Sequence, residues 1–596
     1  MKETTHTPPR LAAGLARLCL HEVDADVVLG DLEETYVGLH ERYGRRAARR
    51  WYWSQVVRSC PNLIYRTFFW SFVMLKNYAK IALRNLRKHK GYACINVSGL
   101  ILGIVCCLLI VLYVQDELGF DRFHENAGRI YRVTAVRGLP GELDASANTA
   151  MPIGPALKTD FPEVLDAVRA RRMFDPVMRH QDTQFTERRV FAVDSTFLEV
   201  FSFPLVLGDP ETALDRPDAV ILTQTTARRY FGDTNPVGQT LTYQNSGNQT
   251  ALTVTGVARD VPEQSHLRFD FLVTLRQFRS DFFDDWRVFV GNYTYLLLPD
   301  AYDTHQLAAK LPDFVERHVG TLDPGYEYSL HLQPLTDIHL YSNLDTEAEP
   351  NGDITYVYLF SAIAFFILLI ACINFVNLAT ARSVRRAREV GLRKVIGAQR
   401  MQLVGQFLGE SMLLGLVAMV AALVVLEVVL PVFNTFSGKT LTLSYLDNGL
   451  LLLALGGIML FIGLAAGAYP ALFLSAFQPA EVLKGSLTRG RSGARARQGL
   501  VVFQFAVSIV LIICTGVVLD QMQYVQTKDL GFDKEQVAVL PIDRAIGQQS
   551  ETIKAALLQH PNVVAATASM LVPSTTLWTY GVRVEQFDEG LTMGTS

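Results

Sequence analysis

The stretch ARSVRRAREVGLRKVIGAQR, Ala381 to Arg400, carries seven basic residues (Arg382, Arg385, Arg386, Arg388, Arg393, Lys394 and Arg400) against one acid, Glu389. Alone, such a run suits a nucleic-acid arm, a membrane-surface patch or a docking helix. The rest of the chain decides between them. Its 596 residues are too many for one ordinary domain. A net charge of −3 argues against nucleic acid as a partner, because a nucleic-acid protein shows its basic character in the total. Hydrophobic residues make up 49% and charged ones only 19%, which points to a membrane protein whose charges are sorted by side.

Five apolar runs are long enough to cross a hydrocarbon core of roughly 30 Å. They are residues 94–114, 354–381, 411–433, 449–477 and 499–519. Lys and Arg crowd three flanks: KIALRNLRKHK before the first run, the opening stretch after the second, and KGSLTRGRSGARAR between the fourth and fifth. By the positive-inside rule these flanks are cytoplasmic, so the N-terminus lies inside and residues 115–353 lie outside. Residues 1–62 have no apolar core of a cleavable leader, so the first span is expected to act as an uncleaved anchor. Of the seven cysteines, Cys19 and Cys60 fall in the cytoplasmic part, and Cys94, Cys106, Cys107, Cys372 and Cys514 fall in spans. The exported segment has none, and so no disulfides.

The fold class expected is an α-helical membrane protein with a large exported α/β domain and a small helical N-terminal module. In that module, residues 1–62, Leu29, Leu32, Tyr36 and Leu39 recur at helical spacing, with acids early and arginines late. A solvated helical hairpin and a partner-binding surface are both open readings. Residues 63–93 mix aromatic and basic side chains, as in an amphipathic helix lying at the membrane interface. Residues 115–353 alternate strand-like runs (AVILT, LTVTGVARD, YTYLLLP) with helical ones, an α/β pattern expected to split into two lobes. Residues 382–410 are read as a cytoplasmic coupling region and 478–498 as a cytoplasmic linker. Residues 84–121 align with 495–533, each with basic residues, one span, YVQ and LGFD. Gly119 and Gly531 correspond at an offset of 412 (531 − 119). Residues 520–596 are accordingly expected to begin a second exported domain that this chain does not finish.

Catalytic motifs are lacking. SGKT, residues 437–440, resembles the end of a phosphate loop, but Phe433 stands where that loop needs glycine, and the segment is placed outside. HExxH, CxxC and GxSxG do not occur, and His339 reads as structural. Asn374 and Asn377, three apart on one helix face, suit bonding between helices, and Gly463 with Gly467 forms a GxxxG contact. No metal site or cofactor is expected on this chain. The opening stretch divides in two. Arg382, Arg385, Arg386 and Arg388 hug the membrane end of the second span, where anionic headgroups attract them. Beyond them Val390, Leu392, Val395 and Ile396 are apolar, interleaved with Glu389, Arg393 and Lys394, before Gly397 and Ala398 turn the chain. A short amphipathic helix of that kind in the cytosol needs a protein partner to cover it.

REVGLRKVIGAQR resembles the cytoplasmic signature of FtsX/MacB-type permeases of ABC transporters. PDAVILTQTTARRYFGDTNPVGQTL, residues 217–241, is similar to the signature of that family's exported core domain, and NGDITYVYLFSAIAFFILLIACINFVNLATARS resembles its entry into the second span. The likeness covers about residues 76–480 and resumes near 495, while LGDLEETY through WYWSQVV is similar to a permease prefix module. The resemblance implies a non-catalytic subunit of a type VII ABC transporter in the inner membrane, dimeric or pseudo-dimeric, working by mechanotransmission. A separate ATPase, holding ATP and Mg, would dock on Glu389, Val390, Gly391, Leu392, Arg393, Lys394, Val395, Ile396, Gly397 and Ala398. The exported domain would then drive efflux of antibiotic, peptide or lipid-type substrates, with a periplasmic adaptor or outer-membrane protein as a further partner. The alternative it implies is a non-transporting signal transmitter of the FtsX kind.

Overall fold

The computed structural model describes residues 8–9, 12–13, 29–58, 90–245, 248–278, 281–289, 291–320, 325–396, 400–443, 448–475, 490–529, 536–540, 547, 549–569, 580–582 and 591–593. Two units divide the chain: residues 1–116 with 355–526, and residues 117–354 with 527–596.

In the first unit the helices Lys90–Leu118, Ile354–Val395, Arg400–Ser437 and Gly490–Thr527 each contain a segment long and apolar enough to cross a membrane. The helix Gly449–Ser475 occupies the fourth expected span, but its described apolar part, Gly449–Ala465, is shorter. Leu100, Ile104 and Leu108 of the first of these helices pack with Leu368, Cys372 and Phe375 of the second. Ala418, Ala422 and Leu426 of the third, and Leu451, Ile458 and Ile462 of the helix Gly449–Ser475, complete the cluster. In lipid such apolar contacts gain little over contact with acyl chains, so close approach through small residues matters more. A Cβ on Gly103 would sit 2.7 Å from the Ala371 Cβ, and one on Gly99 would sit 3.6 Å from the Asn374 amide nitrogen. One on Gly463 would come within 3.0 Å of Met412. Asn374 and Gly463 therefore face neighbouring helices as the sequence suggests, whereas the GxxxG of the first span, Gly99 and Gly103, went unread there.

The helix ends depart from the expected boundaries. The second-span helix does not stop at Ala381. It runs unbroken to Val395, so the expected separate coupling helix is its continuation. The reason is local: residues 382–395 contain no proline and a single glycine among good helix formers, and charge alone does not end a helix. Likewise the helix of the fifth span starts at Gly490, inside the expected linker. The expected interfacial helix at 63–93 falls outside the described residues except for its last four, which begin the first-span helix.

Residues 29–58 are helical, yet they reverse direction at Gly44, whose φ of +82° only glycine adopts cheaply. The Tyr36 and Tyr52 rings meet edge to face at 5.8 Å, where a straight helix would hold them about 24 Å apart. Leu29, Tyr36, Ala48, Tyr52 and Val56 form its small core.

The second unit is built on a mixed sheet, thirteen-stranded among the described residues. Its strands are β1 (Ile130–Leu139), β2 (Glu142–Ser146), β3 (Asp166–Met173), β4 (Val177–His180), β5 (Thr183–Thr186), β6 (Val190–Val193), β7 (Leu205–Leu207), β8 (Ala219–Thr223), β9 (Thr240–Asn245), β10 (Asn248–Ala258), β11 (Phe271–Thr274), β12 (Asn292–Leu297) and β13 (Glu327–Pro334). Their order is β13-β1-β12-β3-β6-β11-β8-β10-β9-β4-β5, with β2 on β1 and β7 on β10. Only β8 with β10 and β6 with β11 run parallel. The expected lobes appear not as separate sheets but as separate cores along one sheet. Leu311, Phe314 and Val315 cover one end against β1 and β12. Ala227, Tyr230 and Phe231 cover the other against β8 and β10. β8 is buried at every position, which is why AVILT is continuously apolar rather than alternating. After it, the Asp260 carboxylate accepts hydrogen bonds from the Thr225 N–H and hydroxyl at 2.9 and 2.7 Å, holding the start of the helix Gln224–Phe231. The 217–241 signature is thus a folding motif.

Past the fifth span helix lie a helix, Ser550–Leu558, and a strand pair, Tyr580–Val582 with Leu591–Met593. Of the expected second exported domain, residues 530–535 (Gly531 included), 541–546, 548, 570–579, 583–590 and 594–596 lie outside the described residues.

Candidate functional site

The helix Ile354–Val395 has 42 residues, about 63 Å of axis, and so is roughly twice what a bilayer core needs. Its apolar half ends near Leu378 and its basic half carries the opening stretch. On that half Leu392, Val395 and Ile396 are 56, 60 and 77% exposed, so three of the four expected apolar anchors stand uncovered. Arg382, Arg385, Arg386, Arg388, Glu389, Val390, Gly391 and Arg393 lie on the same helix, with side chains outside the described set. Gly397 and Ala398 fall outside the described residues; the next helix begins at Arg400.

At the other membrane face the chain is tied at both crossings. In the first unit Lys439 of the SGKT loop pairs with Asp116 and lies 4.9 Å from the Tyr113 ring centroid. Asn448 donates to Gln115 at 2.9 Å. The motif that resembled a phosphate loop is therefore a brace on the end of the first span helix. In the second unit the next residue, Glu117, meets His339 Nε2 at 2.8 Å, both buried, and Phe120 stacks on that ring at 3.4 Å. Gly352, two residues before the second-span helix, donates its N–H to the His339 carbonyl at 2.9 Å. A Cβ there would meet Glu117 Oε2 at 2.7 Å. His339 is structural, but not alone: its partner lies 222 residues away, beyond any sequence pattern.

Asp121, in the LGFD motif, sits in left-handed backbone (φ 57°) and accepts from the His266 N–H at 3.1 Å. His266 Nε2 bonds the Tyr295 hydroxyl at 2.8 Å. Nearby His124 takes the Ser202 N–H on Nδ1 at 3.1 Å. Burial pushes the His124 pKa down to about 4 from 6.5, helped by His266 and opposed by Asp121. The folded state thus binds fewer protons than the unfolded one between those values. Its stabilising share is complete above pH 6.5 and is lost as pH falls toward 4. The melting temperature of the exported domain within the full chain is expected to fall across that window, and His124→Gln to flatten the fall. An unchanged slope in the variant would remove His124 as the cause.

Several apolar helices with an exported α/β domain between the first two define a multi-pass membrane permease. Two family models match: the MacB-like periplasmic core domain over residues 93–314 and the FtsX-like permease C-terminal over residues 361–479. The macrolide export ATP-binding/permease protein MacB of Bdellovibrio bacteriovorus is 24% identical over 278 residues, covering 44% of this chain and 38% of that protein. MacB of Neisseria gonorrhoeae is 23% identical over 266 residues with the same coverage. The chain therefore matches well under half the length of these relatives. Among solved structures, the periplasmic region of MacB from Actinobacillus actinomycetemcomitans is 12% identical over 34% of this chain and 88% of that one, with a TM-score of 0.26. Residues 93–314 and 361–479 thus carry, in this order, the two domains of an FtsX/MacB-type ABC permease, and the chain is a multi-pass bacterial membrane protein.

Proposed function

We propose that this chain is a permease subunit in the inner membrane that converts ATP hydrolysis on a separate ATPase into movement of its exported domain. The ATPase docks at the cytoplasmic end of the second-span helix, the N-terminus lies in the cytosol, and efflux of an antibiotic, peptide or lipid-type substrate is the output. One observation carries this reading: a single unbroken helix joins the exposed apolar residues Leu392, Val395 and Ile396 to the chain's exit from the exported domain at Ile354. A continuous helix resists bending, so a push at one end is delivered at the other. Arg382, Arg385, Arg386 and Arg388, on the stretch between, hold that helix at the headgroup level.

The test is Leu392→Asp with Val395→Asp in the full chain, co-expressed with its candidate ABC ATPase. Burying two carboxylates in an apolar contact is expected to weaken association by a hundredfold or more, about 3 kcal/mol. Copurification and permease-stimulated ATP hydrolysis should both disappear. Retention of both refutes the docking assignment.

A further inference from the structure

We propose that the N-terminal helical hairpin is a membrane-surface clamp that lays one face of its second arm on anionic phospholipid. Residues 45–58 form that arm, after the reversal at Gly44. Ala48, Tyr52 and Val56 recur four apart and are buried in the hairpin's own core. Arg46, Arg50, Trp53 and Val57 recur at four, three and four, and so fall within about 60° of one another on a different face of the helix. Arg46 and Arg50 are exposed, Val57 is 62% exposed, and Trp53 is half-buried, leaning on the core. Arg49, also exposed, flanks the stripe.

Two features choose lipid over a protein partner. Among the described residues no carboxylate pairs with Arg46, Arg49 or Arg50; the acids Asp31, Glu33, Glu34 and Glu41 lie on the other arm. Among the described residues the face is thus a net cation with no carboxylate against it. Its apolar members are a tryptophan and a valine at the end toward the first span, not a cluster deep enough for a protein pocket. Arginine with tryptophan on one face is the chemistry of the headgroup layer, where the guanidinium meets phosphate and the indole sits at the apolar boundary. The tether is short as well: the hairpin ends at Arg58 and the first-span helix begins at Lys90, 32 residues later (90 − 58). That keeps the arm near the bilayer at high effective concentration. The inference rests on the N-terminus being cytoplasmic, where anionic lipid is enriched.

The experiment uses the full chain, with its seven native cysteines replaced by serine or alanine and Val57→Cys carrying an environment-sensitive dye. It is reconstituted in nanodiscs of phosphatidylcholine alone or mixed with phosphatidylglycerol, with brominated acyl chains as quencher. Nanodiscs expose both faces, so the reading does not depend on orientation. The dye should be quenched and blue-shifted in the anionic discs, and salt should reverse this. Arg46→Glu with Arg50→Glu should reduce docking about a hundredfold, while Arg46→Lys with Arg50→Lys should keep most of it. A dye left unquenched in every composition overturns the proposal, whether it faces water or is shielded by protein. So does quenching that is equal in both lipids and indifferent to the Glu pair. In proteoliposomes, labelling of cysteines at 57 and near Arg388 with an impermeant reagent tests topology separately. Labelling on opposite sides would defeat the topology while leaving the lipid result standing.

Discussion

Arg132→Met is expected to cost the exported domain about 3–5 kcal/mol, a large part of the roughly 5–15 kcal/mol a domain possesses. The Arg132 side chain is fully buried in β1. Its Nη2 donates to Glu347 Oε1 at 2.7 Å, to Gln333 at 2.7 Å and to Ser342 at 3.0 Å, and its Nη1 bonds the second Glu347 oxygen. Ser342 also donates to Glu347 at 2.6 Å. The network fastens the segment after β13 onto the β1–β13 pair. Taking away the guanidinium leaves the Glu347 carboxylate, 12% exposed, without its counter-charge. Thermal unfolding of the purified full chain should show the loss, and hydrogen exchange should place it in β1 and β13. Arg132→Met with Glu347→Leu should recover most of it, because replacing both halves of a buried pair strands no charge. A single variant that melts like the parent would show the pair to be dispensable.

Gly103→Val is expected to force the first two span helices apart. The added Cβ alone would lie 2.7 Å from the Ala371 Cβ, and the Ile367 carbonyl is only 3.7 Å away, so one wall of the contact is backbone. Helices do not yield locally, and such overpacking costs about 1–3 kcal/mol or more. Because the proposed function passes through these two helices, both the detergent-solubilised melting point and ATP-driven output should fall. Gly103→Ala should show a milder form, rescued by Ala371→Gly. Equal stability of the valine and parent chains would refute the tight crossing, and a missing rescue would move it elsewhere.

What the sequence reveals and what it hides separate along physical lines. Apolar length and the sorting of basic residues make the spans visible, because lipid imposes those demands on every residue of a segment. AVILT announces a central strand for the same reason: burial on both faces leaves no polar alternation. The uncovered Leu392 and Val395 were legible too, since apolar residues in a charged segment are conspicuous. Helix continuity past Ala381 was not, because hydrophobicity stops there while helix propensity does not. Glu117 with His339, and Arg132 with Glu347, are pairs more than 200 residues apart. A lone histidine and a lone arginine carry no mark of the partner that the fold brings to them. Gly44 was readable in principle, standing between two runs of helical period, but a glycine inside such a pattern does not reveal whether it bends the chain or is merely tolerated.

The sheet order also bears on how the domain comes into being. β1 lies between β12 and β13, the last strands of the segment to be made. From Leu139 to Asn292 the ribosome must add 153 residues (292 − 139), which takes about 8–30 s at bacterial-type rates. For that time β1 has only its hairpin partner β2 for company. Closure is late and non-local, so the nascent domain should emerge from the membrane as an open, pairing-competent edge. A periplasmic holdase would find its client there, and ribosome-stalled chains should be cleaved by added protease until β13 has cleared the translocon.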